Sequence, residues 1–489
     1  MIERRRLLLG LGCAAATLGM AAAAWVVEPS LDQFATLVVV CVGLTLLVAS
    51  RLDPPVLASL YAVVLVLVPS TMVVRPAGAV GQPSTILGVL ALWLWLHSRL
   101  SPEQLGGSRG RNPVRLALLV YASAMLASSV AGWWRGLQDV EASGSIRGTV
   151  VLASLCGMAL LVADGLRRVE DLEMVTRVIA VCVAIAAAIA VIEFATGTNL
   201  ASTLRVPGLS VRGDATADFT RSGFSRVNST AAHPIELGVV LAYGFILSLH
   251  HALHDLKKGR RAVFALAAAV TATAIPLVVS RSAVLAGGVV VLVAAWSWSV
   301  RRKANLFVLL LGFLVLFRLA VPGLLGTLRS LIFGADEDPS VTGRTNDYPE
   351  IYRFFSERPV LGRGFATFVP EKYFFLDNQY LAVLVQSGVI GVTALTILLV
   401  TAGYCARTPA RVAREPEMAA WGQTLAAVIC ASAVTLFTFD GFAFRMNAGL
   451  TFLAIGLAGA AWRLSRQSVA SPAPARHQGP AVNPVGRRT

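Results

Sequence analysis

Apolar runs long enough to cross a bilayer recur along this chain, and they constrain its fold more than any other feature. Fourteen can be counted, at roughly 7–27, 33–50, 55–73, 84–98, 114–134, 146–163, 174–195, 234–252, 262–279, 283–299, 304–322, 378–403, 417–438 and 446–463. A helix needs about 20 apolar residues to span the hydrocarbon core. In that medium every backbone amide must be paired, which a helix achieves within itself and an isolated strand does not. The short alternating segments of a membrane barrel are absent. The expected fold is all-α, a polytopic membrane protein with about 12–14 transmembrane helices. Composition agrees: 56% of the 489 residues are hydrophobic, only 14% are charged, and the mean hydropathy is +0.70.

A net charge of +15 would suit a nucleic-acid binder, but the placement of the basic residues argues otherwise. Of the 42 Lys and Arg, 26 fall in segments that alternation from Arg4, Arg5 and Arg6 assigns to the cytoplasm, the bias that orients membrane proteins. No nucleic-acid partner is expected. The same alternation puts both termini inside and sends two long segments, 196–233 and 323–377, to the outer face. The expected organisation is an N-terminal bundle over 1–195, a first outer loop over 196–233, and helices over 234–322. A long outer loop over 323–377, helices over 378–463 and a disordered cytoplasmic tail over 464–489 follow. YPEIYRFF and FVPEKYFF in the long loop are aromatic and amphipathic, suited to short helices at the interface. The first run, which follows Arg6, reads as an uncleaved span. The six cysteines lie within or beside apolar runs and read as small core residues.

The remaining 16 basic residues lie on the outer side and need a reason. Arg281, in VVSRSAV, sits between two apolar runs with almost no loop, where a charge is costly unless it is paired or functional. A snorkelling arginine is the plain alternative. Arg344 opens an amphipathic stretch, and Arg221 and Arg226 stand in the other outer loop. Guanidinium groups bind phosphate in bidentate fashion, so an anionic phosphate-bearing headgroup would account for them. Asp377 and Asn378 begin the run 378–403. They suit a helix cap or, for Asp377, a general base at the membrane surface. Gly362 and Gly364, in PVLGRGFATF, would let backbone approach a ligand or turn sharply. Gly388 and Gly391 would allow tight helix packing. His233, before Pro234, either caps a helix or serves the site. No acidic metal motif or nucleotide loop is present. No cofactor or metal is expected.

Taken in order, an outer loop ending in His-Pro, SRS between runs, an arginine opening a long loop, RPVLGRGFATF and DNQYLAVLVQSGVIG resemble the O-antigen ligase and polymerase family. The motif-bearing part covers about 226–391. The resemblance implies a glycosyltransferase of the bacterial plasma membrane. Its donor would be a polyprenyl-diphosphate-linked glycan, its acceptor a hydroxyl of a glycan or lipid, and its surroundings membrane lipids, with chemistry on the outer face and no metal. It further implies that Arg281 and Arg344 hold the donor diphosphate, with Arg226 or Arg221 assisting and His233 positioning the acceptor. The position before Asn378 is histidine in many ligases, the proposed base; here it is Asp377. The glutamate often found before the glycine turn is Gln386 here. The alternative is a secondary transporter of a small anionic solute, for which Glu193 is the nearest intramembrane carboxylate.

Overall fold

The structure, a computed structural model, describes residues 53–74, 78, 80–100, 110–204, 206, 208–211, 220–221, 224–333, 348–412 and 416–470. Its helices are α1 (Pro54–Leu67), α2 (Pro83–Leu100), α3 (Pro113–Trp134), α4 (Asp139–Gly165), α5 (Val169–Thr196), α6 (Leu200–Thr203), α7 (Pro234–His254) and α8 (Lys258–Leu277). There follow α9 (Arg281–Ala295), α10 (Val300–Ala320), α11 (Leu324–Phe333), α12 (Tyr348–Glu357), α13 (Gln379–Val412), α14 (Pro416–Thr435) and α15 (Arg445–Ala470). Strands are few: β1 (Met72–Val74) pairs antiparallel with β2 (Leu209–Val211), and β3 (Thr220–Arg221) with β4 (Phe224–Ser225).

Nine helices among the described residues are long and apolar enough to cross a membrane, and α1 and α9 are shorter apolar helices. The chain is an all-α polytopic membrane protein. Each expected run from 55–73 onward falls on one of these helices or, for 84–98, on α2, although α1 stops at Leu67, short of 73; 7–27 and 33–50 lie outside the described residues. Several starts are written locally. α1, α3 and α7 each open on proline, whose missing N–H costs nothing in a first turn. Asn112 caps α3 by accepting the Val114 N–H at 3.1 Å.

α15 is the axis of the bundle. Its apolar window is wholly buried, against 6% for α10, whose apolar side chains face outward. α15 packs on α4, α7, α13 and α14; α3 leans on α13, and α9 on α7 and α14. Close approach depends on small residues, as it must where no hydrophobic effect drives helices together. A Cβ on Gly456 would come within 2.7 Å of the Ala159 carbonyl oxygen, and one on Gly157 within 2.6 Å of that of Gly88.

Two expectations change. YPEIYRFF is indeed helical, as α12, but FVPEKYFF forms turns. Pro370 interrupts it, and Phe368 stacks on Tyr373 at 4.4 Å and meets Phe354 of α12 edge-on, so these aromatics fold inward on each other while Phe375 stays exposed. The helix that was to end at 463 runs on to Ala470, and Arg463 donates from Nε to the Ala163 carbonyl at 3.4 Å.

Candidate active site

α13 opens on the stretch DNQYLAVLVQSGVIG and is not one continuous helix. Gly388 adopts φ 62° and ψ −163°, which interrupts the hydrogen-bond ladder. The orphaned groups find partners in residues 359–366. The Val385 and Gln386 carbonyls accept from the Arg363 and Gly364 amides at 3.1 and 2.9 Å. Past the break, the Val389 and Ile390 amides donate to the Pro359 and Val360 carbonyls at 2.9 and 3.3 Å. Gln386 Oε1 accepts the Ala366 N–H at 2.7 Å. Irregular backbone at membrane depth survives only where protein covers it, and here one segment does so.

That crossing explains the glycines. A Cβ on Gly362 (φ 69°) would lie 2.3 Å from the Gln386 carbonyl, and one on Gly388 2.3 Å from the Val360 oxygen. Gly364 (φ 118°) would place its Cβ 2.8 Å from the Gly132 Cα of α3. What Gly362 and Gly364 admit in this structure is backbone, and Gly388 breaks the helix that it was expected to pack. The far side of the loop is tied to a buried carboxylate at the start of α4. Glu141 is bonded by Arg135 (2.6 Å), Lys372 (3.0 Å) and the Tyr373 hydroxyl (2.7 Å). Arg135 Nε also donates to the Arg363 carbonyl at 2.7 Å.

At the head of α13, Asn378 is the cap: its Oδ1 accepts the Tyr380 and Leu381 amides at 2.9 and 3.2 Å. Asp377 stands just before it, exposed. The helix start rests on the turn between α14 and α15, residues 436–444. Gln379 donates its N–H to the Leu436 carbonyl (2.9 Å) and accepts the Phe442 N–H on Oε1 (2.7 Å). Tyr380 packs against Phe437, with ring centroids 4.2 Å apart.

The same turn receives α9. Ser282 Oγ and Thr438 Oγ1 are 2.8 Å apart, which brings Arg281, the first residue of α9, to this end of the bundle. α8 passes into α9 through Val279 at φ 50°. A β-branched residue there is strained by about 1–3 kcal/mol, and the sharp reversal it permits is what seats Arg281. Arg226 Nε donates to the neighbouring Val278 carbonyl at 3.1 Å. His233 is the cap of α7: its Nδ1 accepts the Ile235 N–H at 3.1 Å, so a neutral ring carries its proton on Nε2. Its ring lies 5.8 Å from Phe444. Burial, and then the charge of Arg226, push the His233 pKa down to about 4, so it is uncharged near neutrality.

Arg226, His233, Arg281, Asp377 and Asn378 thus converge around residues 436–446. Arg344 lies outside the described residues, and Arg221 is placed in β3, paired with Phe224. Two acids went unread. Glu236, wholly buried, accepts the Ala232, Met446 and Asn447 amides at 2.9, 2.7 and 3.2 Å, a carboxylate at the positive end of α15. Asp440 sits within the supporting turn. Burial, and next the charge of Asp377, push its carboxyl up to about 7, with the Ala443 amide partly offsetting them. Its signal was an Asp-Gly pair inside FTFDGFAF, masked by aromatic neighbours. Part of the basic excess has structural work: Arg135, Arg353 and Arg363 pair with Glu141, Glu350 and Glu357. Glu193, the carboxylate a transporter would use, accepts the Asn228 and Ser229 amides at 3.2 and 2.8 Å and fastens the loop before α7.

No curated protein matches the chain. Residues 264–396 match the family described as O-Antigen ligase. The matched segment runs from α8 to just past the break in α13, so it contains Arg281, Gly362, Gly364, Asp377, Asn378 and Gly388, and leaves Arg226, His233 and Asp440 outside. This stretch, about a quarter of the chain, is thus similar to the O-antigen ligase domain.

Proposed function

We propose that this protein transfers a glycan from a polyprenyl-diphosphate carrier to an acceptor hydroxyl at the outer face of the bacterial plasma membrane. The observation that carries the reading is the convergence of Arg281 and Asp377, both inside the matched domain, on one turn that also meets His233, with Arg226 bonded to Val278 just before Arg281. Guanidinium groups match the geometry and charge of a diphosphate. An exposed carboxylate at the mouth of the site matches the task of accepting a hydroxyl proton.

In this reading the acceptor oxygen attacks the anomeric carbon from the face opposite the diphosphate, giving inversion. The hydroxyl proton passes to a carboxylate oxygen of Asp377. The bond from the anomeric carbon to the phosphate oxygen breaks, and the diphosphate departs with the electron pair. Arg281, with Arg226 and Arg344 as further candidates, stabilises the charge that develops on it. His233, neutral and held by its bond to Ile235, offers Nε2–H to acceptor or donor without adding charge. Gly362 and Gly364 act by seating the loop on α13 that leads to Asp377, and Asn378 by capping that helix.

The test uses full-length protein in liposomes with a polyprenyl-diphosphate oligosaccharide, following release of polyprenyl diphosphate once acceptor is added. Arg281→Ala should lower kcat/KM by at least about 100-fold, the loss typical of a missing charge stabiliser, and Arg281→Lys should recover part of it. Equal rates for wild type and Arg281→Ala would remove Arg281 from the mechanism.

A further inference from the structure

We propose that Phe437 is the platform of a sugar subsite: its open face takes the pyranose ring that the donor carries next to its diphosphate. The inference rests on the transferase reading above and adds to it the group that holds the reacting sugar.

The placement comes from direct contacts on either side of the ring. Tyr380 packs against Phe437, with centroids 4.2 Å apart and planes inclined by 32°. The Tyr380 hydroxyl donates to the Ala433 carbonyl at 2.9 Å, and its amide to Asn378 Oδ1 at 2.9 Å, so this support is fixed in the first turn after Asp377. Just before Phe437, the Leu436 carbonyl accepts the Gln379 N–H at 2.9 Å. Just after it, Thr438 Oγ1 lies 2.8 Å from Oγ of Ser282, the neighbour of Arg281. Phe437 therefore stands between the head of α13, which follows Asp377, and the start of α9, which carries Arg281. A donor with its diphosphate at Arg281 and its anomeric carbon within reach of a hydroxyl at Asp377 lays its first sugar across that interval.

The turn holds four phenylalanines and treats one of them differently. Phe439 is 2% exposed and packs on Phe444, and Phe442 packs on Phe452 of α15. Phe437 is 60% exposed. Its amide donates to the Val434 carbonyl at 3.2 Å, a bond that any residue except proline could make, so the backbone does not call for an aromatic here. The face of an aromatic ring carries the negative part of its quadrupole. A pyranose presents weakly positive C–H groups on the side that its axial hydrogens share, so the two surfaces attract and neither gives up a hydrogen bond to water. Anchoring in the headgroup layer is the other use of an exposed aromatic. Trp134, 91% exposed at the end of α3, suits that use. Phe437 differs from it in being tied through its neighbours to the elements of both Asp377 and Arg281. An anchor would be indifferent to whether the bound lipid carries sugar; a platform is not.

The experiment uses the full-length protein in liposomes and measures two quantities: KM for a polyprenyl-diphosphate oligosaccharide, and the inhibition constant of sugar-free polyprenyl diphosphate. Wild type, Phe437→Leu, Phe437→Trp and Trp134→Leu are compared, with the apparent Tm of each as a check on folding. Phe437→Leu keeps an apolar side chain but loses the flat face. It should raise KM about 3–10-fold and leave the inhibition constant unchanged. Phe437→Trp should hold KM at or below the wild-type value, and Trp134→Leu should alter neither quantity. An unchanged KM in Phe437→Leu, or a KM raised as far in Phe437→Trp or Trp134→Leu, would overturn the proposal. So would equal rises in KM and inhibition constant, which mark a ring that serves lipid or fold. Wild-type protein that releases no polyprenyl diphosphate when acceptor is added would overturn the transferase reading itself, and the platform with it.

Discussion

Gly388→Ala should disable the protein through its fold, and the size of the loss can be worked from the crossing of 359–366 over α13. The added Cβ would sit 2.3 Å from the Val360 oxygen and 2.6 Å from that of Pro359, on a residue at φ 62°. Left-handed backbone costs an L-residue about 1–2 kcal/mol. The contact cannot be relieved by a side chain turning, because the obstacle is backbone. The two segments must separate, which breaks the bonds from Val389 to Pro359 and from Ile390 to Val360. Each of these two buried bonds, once lost, costs about 1–3 kcal/mol. The total is about 3–8 kcal/mol, at the upper end of what one substitution does. Gly362→Ala should behave alike, since its Cβ would strike the Gln386 carbonyl on the other side of the crossing. Gly403→Ala, later in α13 where nothing lies within 4 Å, is the control. Apparent Tm and monodisperse yield in detergent are the readout. Both crossing variants should lose several degrees or fail to purify, with Gly403→Ala unchanged. If Gly388→Ala matched Gly403→Ala in stability, the interlock would not be what holds the loop.

Other substitutions probe separate joints. Glu236→Gln keeps an acceptor for the Met446 and Asn447 amides but loses the charge at the head of α15, and should lower the stability measured by thermal melting by about 1 kcal/mol. His233 has a folded pKa near 4 against an ordinary value of 6.5. The unfolded chain therefore binds the extra proton between those values, and this contribution to stability is complete above about pH 6.5 and lost as pH falls towards 4. His233→Asn, which keeps a capping oxygen, should flatten that part of a stability-versus-pH curve. Truncation after Ala470 should leave transfer activity intact, whereas truncation at 463 cuts α15 and should lower the amount of folded protein. Asp377→His, the residue the resemblance implies for many ligases, should retain part of the activity that Asp377→Ala loses.

The apolar runs made the bundle legible because sustained hydropathy marks each helix directly, even α1 and α9, which are shorter than a full span. Hydropathy averages over a window, and that is why the break in α13 was hidden. VLVQSGVIGVT is apolar throughout, and only the backbone of Gly388 departs from the helix. Asp377 and Asn378 could be singled out because they stand at the edge of an apolar run. Asp440 could not, because it sits among phenylalanines and its partner lies 63 residues away in the chain. Glu236 and Glu141 were similarly opaque: a buried acid is recognised by the amides and cations that fold onto it, and those come from distant helices. For Gly362 and Gly364 the sequence permits close approach to a ligand and a sharp turn equally, and the fold displays positive φ at both with backbone packed against them.

The central claim is tested most directly by lipid-linked glycan analysis of cells lacking the protein, complemented with wild type or with Asp377→Ala at equal expression. The account predicts that the deletion stores polyprenyl-diphosphate-linked glycan, that wild type clears it, and that Asp377→Ala does not. Stored single repeat units would indicate a polymerase and stored long chains a ligase. A deletion that stores no such lipid, or an Asp377→Ala protein that clears it as well as wild type, would contradict the account.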